Sequence, residues 1–278
     1  MSQKPDPTTP LRAALYDRLR ARILTGIAAT MFGLAVFLVG TPLVQLAGMG
    51  IAMVVAYEWG VIVGKSSRPT RPSPAMVLMI LGVGITTGLS AIGMFAAAGC
   101  SMFGGLLACA VLSWRSPVER FWVPLGLIYA AGPWSLLIAL YVVGGAGPPI
   151  LFIGLALVIN ADIAAYFAGK HIGGPKLAPV ISPAKTWVGL VMGVIAGYAV
   201  AQVMVFWTPL SPWAFALAAP LFAAISQLSD LMESGFKRRF GVKDASKLLP
   251  GHGGVMDRMD GMTLTAVALV VFYLSGWY

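Results

Sequence analysis

The chain has 278 residues, of which 58% are hydrophobic and only 10% are charged, and its net charge is +9. A soluble domain carries roughly 25% charged residues, so this composition excludes a soluble protein and predicts one polytopic integral membrane domain. Nucleic acid is not expected as a partner, because the positive charges lie in short loops between apolar spans.

The apolar stretches predict an all-α fold. Stretches of about 17–25 apolar residues are long enough to cross a bilayer as helices. About nine are found, at 22–40, 43–63, 75–93, 96–114, 121–144, 149–168, 187–207, 212–235 and 260–277. We therefore divide the chain into a cytoplasmic tail (1–21), a set of N-terminal transmembrane helices (22–168) and a catalytic transmembrane region (169–278).

The distribution of Lys and Arg predicts the topology. Nine spans with a cytoplasmic N-terminus place the tail and four loops in the cytoplasm, at 64–74, 115–120, 169–186 and 236–259. All nineteen Lys and Arg residues lie in these segments or at their edges, and the opposite loops hold none. Cytoplasmic loops carry an excess of Lys and Arg, so we expect the N-terminus inside and the C-terminus on the far side.

The most polar part of the chain is the segment 230–261. It contains five of the ten acidic residues and six of the nineteen basic ones, within an otherwise apolar sequence. Charge near a bilayer is costly and usually functional. Carboxylates mixed with Lys, Arg and glycines suit a divalent metal that holds phosphates, so this segment is the predicted active site.

Two helix ends in this segment carry the candidate metal ligands. Asp230, Glu233 and Ser234 are spaced i, i+3, i+4 and share one helix face at the end of the eighth span. Asp257 and Asp260 are spaced i, i+3 at the start of the ninth span. Together they could direct carboxylates at one Mg²⁺ ion. The alternative is that these carboxylates pair with adjacent Lys or Arg as ordinary interfacial charge.

Phosphate-binding groups lie close by in the sequence. Lys237 and Arg238 follow the acidic face by one turn and suit phosphate clamps. The glycine-rich turn at 250–254 could let phosphate oxygens approach backbone amides. His252 within it either orients a phosphate or passes a proton, or is only a hydrogen-bonding turn residue.

The loop 169–186 is the second candidate region. Ser182, Lys185 and Thr186 offer hydroxyls and a cation just before a helix begins, where backbone N–H groups favour anions. The alternative is a basic cytoplasmic loop with a Ser/Pro helix start. Asp162 is expected to contribute to the polar cavity, whereas Glu58 is either a buried anchor or a wall of the site.

Residues 234–260 resemble the signature of phosphatidate cytidylyltransferases, also called CDP-diacylglycerol synthases. They match S-x-x-K-R-x4-K-D, then P-G-H-G-G, then D-R-x-D. The upstream D-x-x-E-S, and S-P-A-K-T-W at 182–187, which is similar to the family's S-P-K-K-T-W-E-G, add to the resemblance. One departure is Val188, which stands where the family usually has an acid. The N-terminal half resembles the family only in its hydropathy.

The resemblance implies that CTP and phosphatidic acid react to give CDP-diacylglycerol and pyrophosphate, with Mg²⁺ as cofactor and a second cation left open. We expect Asp230 and Asp257 to bind the metal, with Asp260 and Glu233 either as further ligands or as residues that contact the ligands. The implied catalytic and phosphate-binding residues are Lys237, Arg238, Lys243, Asp244 and His252, and the implied substrate-binding residues are Ser182, Lys185, Thr186, Ser234 and Arg258.

Two other classes of membrane protein are the alternatives to this function. Enzymes that join a nucleotide-activated head group to a lipid show a D-G-x-x-A-R type motif, which is not found here. A transporter or channel for anionic solutes, with a basic cytoplasmic gate, would place charges midway in its spans and show internal repeats. The expected location is a bacterial inner membrane, with the site facing the cytoplasm. Small residues at 189, 193 and 197 predict close helix packing within one chain or between two copies of a homodimer.

Overall fold

The computed structural model describes residues 24–67, apart from 29, 30, 34 and 37, and residues 72–278. Eight helices in this part of the chain are long and apolar enough to cross a membrane. We number them α1 (Leu43–Ser67), α2 (Pro74–Ala91), α3 (Phe95–Ser113), α4 (Glu119–Val142), α5 (Gly147–His171), α6 (Trp187–Val205), α7 (Pro212–Arg239) and α8 (Met256–Ser275). Two short strands, β1 (Lys176–Ala178) and β2 (Ser182–Thr186), lie between α5 and α6.

This architecture confirms the predicted all-α integral membrane fold. Eight of the predicted spans each correspond to one of the numbered helices. The first predicted span, 22–40, and the tail, 1–21, lie partly or wholly outside the described residues, so the count of nine stays a prediction. The orientation of the termini likewise stays a prediction from the Lys and Arg distribution.

Local sequence explains where several helices begin. The side chains of Ser73, Thr186 and Ser211 accept hydrogen bonds from backbone N–H groups in the first turns of α2, α6 and α7. Proline follows the cap in α2 and α7, where its missing N–H costs nothing. Such caps stabilise the ends of otherwise uniformly apolar helices.

The helix ends at the predicted site differ from expectation. α7 continues to Arg239 and α8 already begins at Met256, so the loop predicted at 236–259 is reduced to 240–255. Basic residues in the last turn of α7 and an acid, Asp257, in the first turn of α8 interact favourably with the dipoles of these helices. These interactions stabilise the additional turns. The other predicted loop, 169–186, is an antiparallel β-hairpin in which Lys176 pairs with Thr186.

The glycines spaced four apart on α6 pack inside the chain. A Cβ atom on Gly189 would lie 2.8 Å from the carbonyl oxygen of Ala165, and one on Gly193 would lie 2.8 Å from that of Ala161. α6 therefore lies directly against the backbone of α5, as small residues permit. These glycines therefore serve packing within one chain and not between two copies. The homodimer stays a prediction, and these glycines do not support it.

An aromatic cluster joins the first half of the bundle, α1–α4, to the second half, α5–α8. Trp59 of α1 stacks on Phe236 of α7, with ring centroids 3.7 Å apart and an interplanar angle of 7°. The indole N–H of Trp59 donates to the carbonyl oxygen of Trp122 at 2.8 Å. Tyr129 of α4 lies 4.9 Å from Trp59, centroid to centroid. These contacts tie α1 and α4 to the end of α7 that carries the predicted site.

Candidate active site

The first polar network is centred on Lys237, which is buried near the end of α7. Its Nζ lies 2.9 Å from Oε1 of Glu233 and 2.6 Å from Oδ1 of Asp257. The hydroxyl of Tyr129 donates to Oε2 of Glu233 at 2.7 Å. Buried charges are tolerated when they are paired and hydrogen-bonded, so this lysine and its partners lock α4, α7 and α8 together.

Asp257 also organises the loop 240–255. Its Oδ2 accepts from the backbone N–H groups of Ala245, at 2.9 Å, and Gly254, at 2.8 Å. Gly253 adopts a φ of 84°, and a Cβ on it would lie 2.8 Å from Oδ2 of Asp257. Only glycine fits this left-handed, crowded position. The glycine-rich turn is therefore folded around the carboxylate of Asp257.

The second network connects the β-hairpin to α5 and α7. Nζ of Lys185 lies 2.6 Å from Oδ2 of Asp230 and 3.1 Å from Oε1 of Gln227. Nε2 of Gln227 donates to Oδ1 of Asp162 at 2.5 Å. Ser234 donates from its hydroxyl to Oδ1 of Asp230 at 3.2 Å. Lys185 is thus held by two residues of α7, and one of them, Gln227, connects it to Asp162 of α5.

Asp260 lies between these networks. The hydroxyl of Ser229 in α7 donates to the backbone carbonyl oxygen of Asp260. Oδ1 of Asp260 accepts from the N–H of Gly261 at 2.8 Å. A Cβ on Gly261 would lie 3.5 Å from Oδ2 of Asp162, so this glycine brings the first turns of α8 close to α5. The carboxylates of three helices therefore lie near one another.

The oxygen donors fit Mg²⁺ held jointly with a substrate. Within residues 24–67 and 72–278, as far as described, no group of three or more His, Cys, Asp or Glu side chains could hold a metal by itself. Mg²⁺ commonly binds one or two carboxylates and completes its shell with water and substrate phosphates. Of the four predicted ligands, Asp230 is paired with Lys185, and Asp257 and Glu233 are paired with Lys237, whereas no ion pair among the described residues includes Asp260.

The other predicted residues surround these networks. Arg238 is exposed, and its guanidinium donates to the carbonyl oxygens of Ile181 in the hairpin and Val242 in the loop, both at 3.3 Å. Lys243 and Asp244 are exposed on the loop. Arg238 thereby connects the two segments that the sequence predicts to bind phosphates.

The turn and the hairpin carry the remaining predicted residues. Arg258 is exposed and donates from Nε to the carbonyl oxygen of His252 at 3.1 Å. Nδ1 of His252 is buried and has no hydrogen-bond partner among the described residues. Ser182 is half-buried in β2, whereas Thr186 is buried and its hydroxyl caps α6. Val188 packs against the segment between α5 and β1, since its Cγ2 would lie 3.3 Å from a Cβ atom on Gly174.

Sequence reasoning missed two residues of the networks and left one undecided. Gln227 lies three residues before Asp230 in α7, so the spacing alone predicts that the two side chains share one helix face. Tyr129 lies in an apolar span, and no local pattern marks it. Glu58, left open between an anchor and a wall, accepts hydrogen bonds from the hydroxyl of Ser246 and the backbone N–H groups that begin α8.

Known proteins of one family are similar to this chain over most of its length. Residues 20–275 match the profile of the cytidylyltransferase family. A phosphatidate cytidylyltransferase of Brucella suis biovar 1 is 37% identical over 271 residues, which cover 92% of this chain and 93% of that protein. A phosphatidate cytidylyltransferase of Mycobacterium bovis is 32% identical over 299 residues, which cover 95% of this chain and 91% of that protein.

These similarities extend over both halves of the bundle and not only over the polar segment. Together with the membrane-spanning helices they define an integral membrane enzyme of the nucleotidyltransferase type. The chain belongs to the cytidylyltransferase family.

Proposed function

We propose that this protein transfers the cytidylyl group of CTP to phosphatidic acid, giving CDP-diacylglycerol and pyrophosphate for phospholipid synthesis. The observation that carries the proposal is that Lys185 of β2 pairs with Asp230 of α7, and Lys237 of α7 pairs with Asp257 of α8, in a chain of this family. The names of its relatives supply the lipid substrate. The family match favours this function over the transporter alternative, for which no comparison gives support.

The chemistry needs positioned charge more than covalent catalysis. A phosphate oxygen of phosphatidic acid forms a bond to the α-phosphorus of CTP, and the bond from that phosphorus to the departing pyrophosphate oxygen breaks. Phosphoryl-type transfers of this kind depend on alignment and charge neutralisation. Lys185, Arg238 and Lys243 are the cations placed to contact phosphate oxygens, while the buried Lys237 holds Glu233 and Asp257 in place.

Mg²⁺, when bound, would neutralise phosphate charge and orient the triphosphate. The carboxylates that would hold it are those predicted from the sequence, Asp230, Glu233, Asp257 and Asp260, of which Asp260 alone is in no ion pair among the described residues. The hairpin strand β2, the loop 240–255 and the first turn of α8 place the site toward one end of the bundle. A lipid head group could therefore enter at the membrane surface while its chains stay in the bilayer, and the Lys and Arg distribution places that surface on the cytoplasmic side.

A reconstitution assay tests this function. Purified protein in mixed micelles would be supplied with CTP, Mg²⁺ and phosphatidic acid, and both pyrophosphate and lipid-linked cytidine would be measured. We expect both products only when all three components are present, and we expect chelation of Mg²⁺ to abolish them. Pyrophosphate release without phosphatidic acid, or anion flux through vesicles without any nucleotide transfer, would overturn the proposal.

A further inference from the structure

Glu58 is a buried carboxylate in the half of the bundle that lies outside the signature segment. It belongs to α1 and is 0% exposed. Its Oε1 accepts from the hydroxyl of Ser246 at 2.5 Å and from the N–H of Val255 at 3.0 Å. Its Oε2 accepts from the N–H of Met256 at 2.7 Å. All three partners belong to the loop 240–255 or to the first residue of α8.

The charge of Glu58 is stabilised by a helix end rather than by a cation. None of the ion pairs among the described residues includes Glu58. The residue that precedes α8, Val255, has no side chain able to cap the helix. The first N–H groups of a helix lack partners inside it, and its N-terminus carries partial positive charge. Glu58 therefore caps α8 from a different helix.

Gly254 has a steric role that only Glu58 explains. A Cβ on Gly254 would lie 2.6 Å from Oε1 of Glu58, so a larger residue would push the two apart. The N–H of Gly254 donates to Oδ2 of Asp257 at 2.8 Å. Gly254 thus lies between the carboxylates of Glu58 and Asp257. A shift of Glu58 would therefore displace Gly254 and its hydrogen bond to Asp257.

We propose that Glu58 is a positioning residue for the cytidylyl transfer, which it serves by fixing the loop 240–255 and the first turn of α8. Through this contact the N-terminal half sets the positions of Asp257 and Asp260 relative to Asp230. The inference rests on the proposed function. A displacement of about 1 Å at a reacting centre can cost roughly 10²-fold in rate, so a small shift of this loop has a measurable effect.

Two substitutions separate the contact from its charge. Glu58→Leu removes every acceptor, whereas Glu58→Gln keeps the shape of the side chain and one carbonyl oxygen, which accepts either from Met256 or from Val255 and Ser246. We expect Glu58→Leu to lower kcat about 10²-fold with KM for CTP and phosphatidic acid changed by less than about 3-fold. Glu58→Gln should stay within about 10-fold of the wild type in kcat. Glu119→Gln, at the start of α4, is the matched control and should leave both constants unchanged.

Hydrogen exchange gives a second measure that does not depend on turnover. In Glu58→Leu, the backbone amides of residues 244–256 should exchange faster than in the wild type, and in Glu58→Gln they should not. Wild-type kcat in Glu58→Leu would overturn the inference. So would a loss of kcat with unchanged exchange in this loop, or an equal loss in the Gln variant.

If Glu58→Leu does not fold, Ser246→Ala and Gly254→Ala decide the question. Each perturbs the same contact from the loop side, and we expect kcat to fall in both, further in Gly254→Ala. Unchanged kcat in both would overturn the inference. Failure of the proposed function has a different signature, because the wild-type protein itself would then form no CDP-diacylglycerol.

Discussion

Polar side chains are used differently in the two halves of the bundle. In α2 and α3, the hydroxyls of Thr87, Ser90 and Ser113 donate to carbonyl oxygens one turn earlier in their own helix. In the second half, Lys185 and Lys237 instead connect separate elements. These three hydroxyls are therefore satisfied within their own helices, whereas the two lysines join separate elements.

The difference follows from what each kind of bond constrains. A hydroxyl bonded within its own helix needs no partner elsewhere, so its helix can pack or slide against apolar neighbours. A bond between elements specifies their relative position, which an active site requires. Glu58 and Tyr129 lie in the first half but make bonds of this second kind, to the start of α8 and to Glu233 of α7.

Removal of Lys237 should have the largest effect. Lys237→Met leaves Glu233 and Asp257 buried without their shared cation, and breaking a buried pair in this way costs about 3–5 kcal/mol. We expect the free energy of unfolding in detergent to fall by about that amount and CDP-diacylglycerol synthesis to be lost. Arg239→Met, an exposed neighbour on the same helix, is the control and should retain activity. Activity close to wild type in Lys237→Met would contradict the importance of this network.

Asp230→Asn should come next. The substitution removes the charge that holds Lys185 and, under the proposed function, one of the carboxylates that bind Mg²⁺. We expect kcat to fall by about 10²-fold or more, as for loss of other electrostatic groups in active sites, and the half-saturating Mg²⁺ concentration to rise. The measurement is the rate as a function of Mg²⁺ at saturating CTP. A reduced rate with an unchanged Mg²⁺ requirement would assign Asp230 to Lys185 alone.

Gln227→Leu should have a moderate effect. It removes the amide between Lys185 and Asp162, and hydrogen bonds to charged groups contribute about 1.5–3 kcal/mol. We expect a loss of about 10-fold or somewhat more in kcat/KM, measured in the same micelle assay. Gln202→Leu, in α6, is the matched control because Nε2 of Gln202 has no partner among the described residues. Equal losses in both variants would show that the effect is not specific to the site.

The membrane-spanning helices and the polar helix ends were predictable because they depend on local patterns. A run of apolar residues predicts a span whatever surrounds it, and the i, i+3 spacing of Asp230 and Glu233 places both on one helix face. The sequence could not show that Lys237 pairs with Asp257, because that contact depends on how α7 packs against α8, whereas its pair with Glu233 is of the i,i+4 kind.

The role of Glu58 was even less accessible to sequence reasoning. Its partners lie more than 180 residues away in the chain, and an isolated acid in an apolar span has no spacing pattern to interpret. The sequence left open whether Glu58 is an anchor or a wall of the site, and only the fold brings it to the start of α8. Long-range contacts of this kind need the packing of several helices, which no local pattern predicts.

The smallest expected effect tests the comparison of the two halves most directly. Thr87→Val removes a buried hydroxyl that bonds to Val83 in its own helix, so we expect unchanged activity and a change in unfolding free energy below about 1 kcal/mol. Thr186→Val removes the cap of α6 at the hairpin, which should cost about 1 kcal/mol or more and lower activity, since Lys185 precedes it in β2. Thermal unfolding in detergent and the transfer assay would be run side by side. If Thr87→Val lowered activity as much as Thr186→Val, the hydroxyls that bond within helices of the first half would have to be counted among the groups that position the site.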